Sequence, residues 1–181
     1  MKVAITSIVI AITLALVVSL PALAQQNSTI TITMTGLDEI SISLDKTEWP
    51  LGTIASNTQY ETTPAIEWCT LTVGGTCNVD TFVAGDDAKW VSDPGAYKWT
   101  LSNDGTNGNH TYALWFRISG DTTRDYVPIT KTQSELWPYS GGSSLAPGDH
   151  KQFGLRLLSP TYFFSCRQMQ TQITISAVAA S

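Results

Sequence analysis

Histidine is almost missing from this 181-residue chain: His110 and His150 are the only two. Neither stands in an H-E-x-x-H pattern or beside a cysteine at ligand spacing, so zinc catalysis lacks its usual donor set. Charge is scarce as well, with Asp, Glu, Lys and Arg making up 14% of residues and a formal balance of −5. A lightly charged, acidic surface disfavours nucleic acid and anionic membrane as partners. No G-x-S-x-G elbow, G-x-G-x-x-G turn or P-loop occurs. The chain therefore reads as a non-enzyme without cofactor or metal. A helical hydrophobic period is absent too, from every window of eleven or more residues.

One long apolar run is present, from Val3 to Leu20, preceded by Lys2 and followed by Pro21 and the A-x-A triplet Ala22-Leu23-Ala24. These features make residues 1–24 a cleaved signal peptide, with Gln25 as the first mature residue. The run is also long enough for a retained anchor, but no basic stop-transfer cluster follows it. The mature chain, 25–181, is expected to be one domain, secreted, extracellular or at the cell surface, with no membrane contact after cleavage.

What fills that domain is short runs of aromatic and β-branched residues divided by Gly, Asn, Asp, Ser and Pro. This predicts an all-β fold, an antiparallel Ig-like or jelly-roll-like β-sandwich of about 7–9 strands. Candidate strands are Thr29–Thr35, Ile40–Asp45, Thr63–Val73, Asn78–Ala84, Tyr97–Leu101, Thr111–Ser119, Lys151–Leu158 and Met169–Val178, with Tyr126–Thr130 as an edge piece. The two-residue side-chain period puts Leu114, Phe116 and Ile118 on one core face, and Phe153, Leu155 and Leu157 on another. Turns are expected at Gly74-Gly75, at the NDGTNGN run (103–109), and at Pro147-Gly148 as a type II turn. The stretch 132–148, which holds Trp137-Pro138-Tyr139, reads as a surface excursion.

The phrases LDKTEWPLGTI (44–54), DTFVAGDDAKW (80–90), WTLSNDGTNGNHTYALWF (99–116) and LAPGDHKQFGLRLLSPT (145–161), closed by MQTQITISAV, together resemble secreted prokaryotic Ig-like sandwich proteins. Their neighbourhood is that of the TasA and camelysin biofilm-fibre proteins and the archaeal bundling pilins. The resemblance implies a fibre, pilus or biofilm-matrix subunit that self-associates into a filament by donating an N-terminal strand to its neighbour. Here the matching segment lies within 25–36: Thr29, Ile30, Thr31, Ile32, Thr33 and Met34, with the isoleucines and Met34 as the buried row. Cysteines depart from the family's pattern.

Those cysteines are Cys69, Cys77 and Cys166. In an oxidising exterior two should pair. If strands alternate up and down, the loop after Val73 and the loop before Met169 share one end of the sandwich, which favours Cys77–Cys166 over Cys69–Cys77 or Cys69–Cys166. Cys69 then reads as a small buried hydrophobe.

Several features bear on binding. Asn103, Asp104, Asn107 and Asn109 crowd one loop with oxygen donors and Asp86-Asp87 form an acidic pair, but neither follows the calcium-loop spacing, and a metal-free turn is favoured. Six tryptophans raise a glycan-contact alternative, a monomeric adhesin or carbohydrate-binding module. It would use Trp137 and Tyr139, with Trp90 as a further contact, while Trp49 and Trp90 otherwise plug the sandwich ends. Asn27 and Asn109 begin N-x-[ST] sequons and are candidate N-glycosylation sites.

Overall fold

A computed structural model describes residues 38–122, 124–137, 142–163 and 167–180. The expected leader (1–24), the donor segment (25–36), Tyr139 and Cys166 lie outside these. Among the described residues no helix is long and apolar enough to cross a membrane.

Twelve strands are formed among the described residues: β1 (Ile40–Leu44), β2 (Gln59–Glu61), β3 (Cys69–Gly75), β4 (Val79–Gly85), β5 (Ala88–Trp90), β6 (Lys98–Leu101), β7 (Thr111–Ile118), β8 (Val127–Ile129), β9 (Ser134–Trp137), β10 (His150–Leu158), β11 (Met169–Gln170) and β12 (Ile173–Ala179). They make two sheets, a large one ordered β1-β3-β10-β7-β6-β5-β11, with β2 on β10 and β8 on β7, and a small one ordered β12-β4-β9. The fold is thus an all-β sandwich, with more and shorter strands than the sequence suggested. Pairing is antiparallel except between β6 and β7, which run parallel through Thr100↔Thr111 and Leu101↔Tyr112.

The core follows from the alternation in β7 and β10. Their register sets Ile118 opposite Phe153, Phe116 opposite Leu155 and Leu114 opposite Leu157, so the two expected apolar rows lie side by side on one face. Leu114, Phe116, Ile118, Phe153 and Leu157 are buried. The opposing sheet contributes Val79, Thr81 and Val83 from β4 and Leu136 from β9, all buried. Each large apolar side chain of this double row contributes roughly 1.5–3 kcal/mol.

The Pro147-Gly148 turn forms as expected: Asp149 N–H donates to Ala146 O at 3.0 Å, and Gly148 takes φ +89°. Three expectations are corrected. Thr63–Trp68 is a tight turn, because Pro64 lacks a ladder donor and Ala65 has φ +65°; Glu67 N–H donates to Thr63 O at 2.8 Å and the Glu67 carboxylate takes Thr63 N–H at 2.6 Å. The supposed surface excursion contains β9, whose Leu136 is core. Met169–Val178 divides at Thr171-Gln172, since β11 serves the large sheet and β12 the small one.

Candidate functional site: two outer strands

Among the described residues β1 and β12 are the outer strands at one side of their sheets. Among the described residues β1 is paired only with β3 and β12 only with β4, over Ile173↔Gly85 to Ala179↔Val79. The two edges also contact each other across the sandwich. Ile42 and Leu44 from β1, and Ile173, Ile175 and Ala177 from β12, pack on the core yet stay only partly buried. Ile40 and Val178 are 43% and 47% exposed. Neither ISISL nor ITISAVA holds a charge or a proline, the residues with which sheet edges ordinarily deter further pairing.

The chain enters this edge pair through a clamp at Glu39. Its carbonyl accepts Thr76 N–H at 3.0 Å and the Cys77 thiol at 3.6 Å, while its own N–H donates to Thr76 Oγ1 at 3.0 Å. Gly75 makes the approach possible. It holds φ +82°, and a Cβ there would sit 2.1 Å from Glu39 O. Gly74 and Gly75, expected as a turn, are instead the last residues of β3, paired with Ser41 and Ile40, and from there Gly75 grips the start of β1.

The remaining sequence-derived sites are dispersed. Cys69 and Cys77 are both thiols; Cys69 is buried, donates to Lys46 O at 3.4 Å, and burial pushes its pKa up. Cys166, and with it the expected bond to Cys77, lies outside the described residues. The strand-parity reasoning behind that pair does not describe this topology. Cys77 sits at the Val79 end of β4, whereas Gln168, leading into β11, accepts Val91 N–H at 3.0 Å beyond the other end, near Gly85. Trp137 lies on β9, partly buried, with its indole N–H donated to Ser143 O at 3.0 Å and the Lys151 ammonium 4.1 Å from a ring centroid. Asn109 is exposed in the loop before β7. Asn27, Tyr139 and Thr29 to Met34 fall outside the described residues.

In the NDGTNGN loop the oxygens serve the turn itself. Asp104 Oδ1 accepts from Ser102 Oγ at 2.8 Å and from Thr106 Oγ1 at 2.6 Å, which lowers its pKa to about 2. Asn107 Nδ2 donates to Ser159 O at 2.7 Å. Asp86 and Asp87 separate in role. Asp86 pairs with Lys89 at 2.8 Å on the surface. Asp87 is buried, and burial alone would raise its pKa, but Lys131 at 2.6 Å, Leu101 N–H at 2.9 Å and Lys98 at 3.1 Å more than offset that, and the carboxyl falls to about 2. Sequence reasoning missed this cluster, since nothing in the spacing of 87, 98 and 131 marks it. Among the described residues no group of three or more His, Cys, Asp or Glu side chains is placed to hold a metal ion.

Set against family models, curated proteins and solved structures, the chain matches none of them.

Proposed function

We propose that the chain is a secreted structural subunit of an extracellular fibre, pilus or biofilm matrix, assembled by strand exchange in which residues 29–35 of one copy enter the β1–β12 edge pair of the next. The observation that carries this reading is the pair of adjacent edges whose inward apolar rows are half covered and whose strands carry no charge or proline. An added strand would pair its main chain with an edge and set Ile30, Ile32 and Met34 against Ile42, Leu44, Ile173 and Ile175. β12 is seven residues long, the length of the 29–35 segment. Burying the three donor side chains would contribute roughly 1.5–3 kcal/mol each. The Glu39 clamp holds the start of β1 in register whether or not the segment that precedes it in sequence is donated. The likeness to fibre-forming sandwiches rests on the strand and turn phrases of the sequence and agrees with this reading.

A variant lacking residues 25–36 tests it. Electron microscopy and analytical ultracentrifugation should find filaments from the mature chain and monomers from the variant. Assembly of the variant to the same extent as the mature chain would overturn the proposal.

A further inference from the structure

At the end of β12 away from the Glu39 clamp, the hairpin between β5 and β6 and the chain running from β11 into β12 enclose a pocket of about 210 Å³. Its walls include Asp86, Lys89, Trp90, Pro94, Gln170 and Gln172. We propose that this pocket binds a single neutral sugar ring, as a terminal residue of a glycan.

The volume comes first. It lies below the roughly 300–1,000 Å³ of pockets that hold drug-sized ligands, a size that suits one ring. The chemistry of the lining then selects the class. The two carboxylates are already engaged: Asp86 by Lys89 at 2.8 Å and by Asp87 N–H at 2.7 Å, and Asp87 by Lys98, Lys131 and Leu101 N–H. Neither offers a cation the bare oxygens that hard ions require, and their charge is balanced by Lys89, Lys98 and Lys131. The groups left available are mostly uncharged, Lys89 being the exception. The side-chain amides of Gln170 and Gln172 make no hydrogen bond to the described residues, and each offers two donors and an acceptor. Lys89 retains donors beyond the one given to Asp86. Trp90 and Pro94 supply an apolar wall, and Trp90 is braced by Arg167, whose Cζ stands 4.4 Å from a ring centroid. Paired amides beside an aromatic surface complement a pyranose, whose hydroxyls each donate and accept while its C–H faces are apolar.

This site does not depend on strand exchange, because none of its residues lies in the donor segment. In a filament it would repeat once per subunit, and repetition raises avidity without any new contact.

The test is a titration of the mature chain, followed by NMR, with glucose, galactose, mannose and N-acetylglucosamine separately, and with calcium chloride and sodium phosphate as further arms, each to about 10 mM, where a millimolar site saturates. At least one sugar should shift the Gln170 and Gln172 side-chain amide resonances and the Trp90 indole resonance, saturably. The double variant Gln170→Ala, Gln172→Ala, whose changes are at exposed side chains, should keep the melting temperature and weaken that sugar about tenfold through two lost hydrogen bonds. The proposal is overturned if no sugar moves these resonances, if the double variant binds as before, or if calcium or phosphate moves them in place of sugar. The variant lacking residues 25–36 should retain the binding, which separates failure of this site from failure of assembly.

Discussion

A carboxylate removed from water costs several kcal/mol unless donors replace the solvent, and Asp87 shows how this chain meets that cost. Lys131, Lys98 and the Leu101 amide converge on it from three parts of the sequence. Because the folded carboxyl sits near 2, against about 3.9 in an unfolded chain, folding is favoured by its ionised form. That contribution, on the order of 2 kcal/mol, is complete above about pH 4 and is lost as pH falls through about 2. Asp87→Asn should cost roughly 2–4 kcal/mol at neutral pH and flatten the acid limb of the stability curve, as urea unfolding across pH 2 to 7 would measure. In the sequence the pair Asp86-Asp87 looked like one acidic site, because adjacency along the chain hides that, in the connection between β4 and β5, Asp87 is buried while the Asp86 side chain stays at the surface. Cysteine chemistry divides in the same way. Partly exposed Cys77 should alkylate readily in the folded protein, while Cys69, buried and with its thiol pKa raised, should react only on unfolding; mass spectrometry of iodoacetamide-treated protein checks both.

At the scale of elements, what was legible was whatever an element encodes by itself. β7 and β10 carry alternating apolar rows long enough to be read without a partner, and their faces and the Pro147-Gly148 turn came out as the pattern implied. Strands β2, β5 and β9, of three or four residues, were not read; β6 and β8 are as short but stand in aromatic and β-branched runs that mark them. The edge pair was half legible, since β1 and β12 show clear alternation, but their meeting across the sandwich is a property of topology. Glycines mark where elements press together. Gly154 on β10 lies under Trp68, so that an added Cβ would stand 2.5 Å from Trp68 Nε1 and 3.0 Å from Thr62 Oγ1, the hydroxyl that takes Leu155 N–H. Gly75 faces backbone, which cannot rotate away, and its φ of +82° adds strain of about 1–3 kcal/mol for any other residue. Gly75→Ala should therefore destabilise by at least about 2 kcal/mol and release the Glu39 clamp. Hydrogen exchange at the Thr76 amide should rise more than at core amides of β7. Equal protection of Thr76 in the variant would show that Gly75 does not hold the start of β1.

For the whole molecule, a row Ile30, Ile32 and Met34 that completes its own sandwich and one that completes another copy's differ in how stability depends on concentration. A strand kept within its own chain contributes to a unimolecular equilibrium, so its loss lowers the melting temperature equally at every protein concentration. A donated strand contributes to association, and its loss leaves the isolated subunit's stability unchanged while raising the concentration at which filaments form. Ile32→Asp distinguishes them, because a carboxylate in the middle of the buried row is opposed by burial in either case, at a cost of a few kcal/mol. Strand exchange predicts a subunit melting temperature within about 2 °C of the parent chain in dilute solution and a critical concentration for assembly raised at least about a hundredfold, since each 1.4 kcal/mol is a factor of ten. Sedimentation across a dilution series measures the second quantity and calorimetry of the dilute subunit the first. A melting temperature lowered by several degrees at all concentrations, with assembly unchanged, would place the strand in its own domain and leave the β1–β12 edges without a donor.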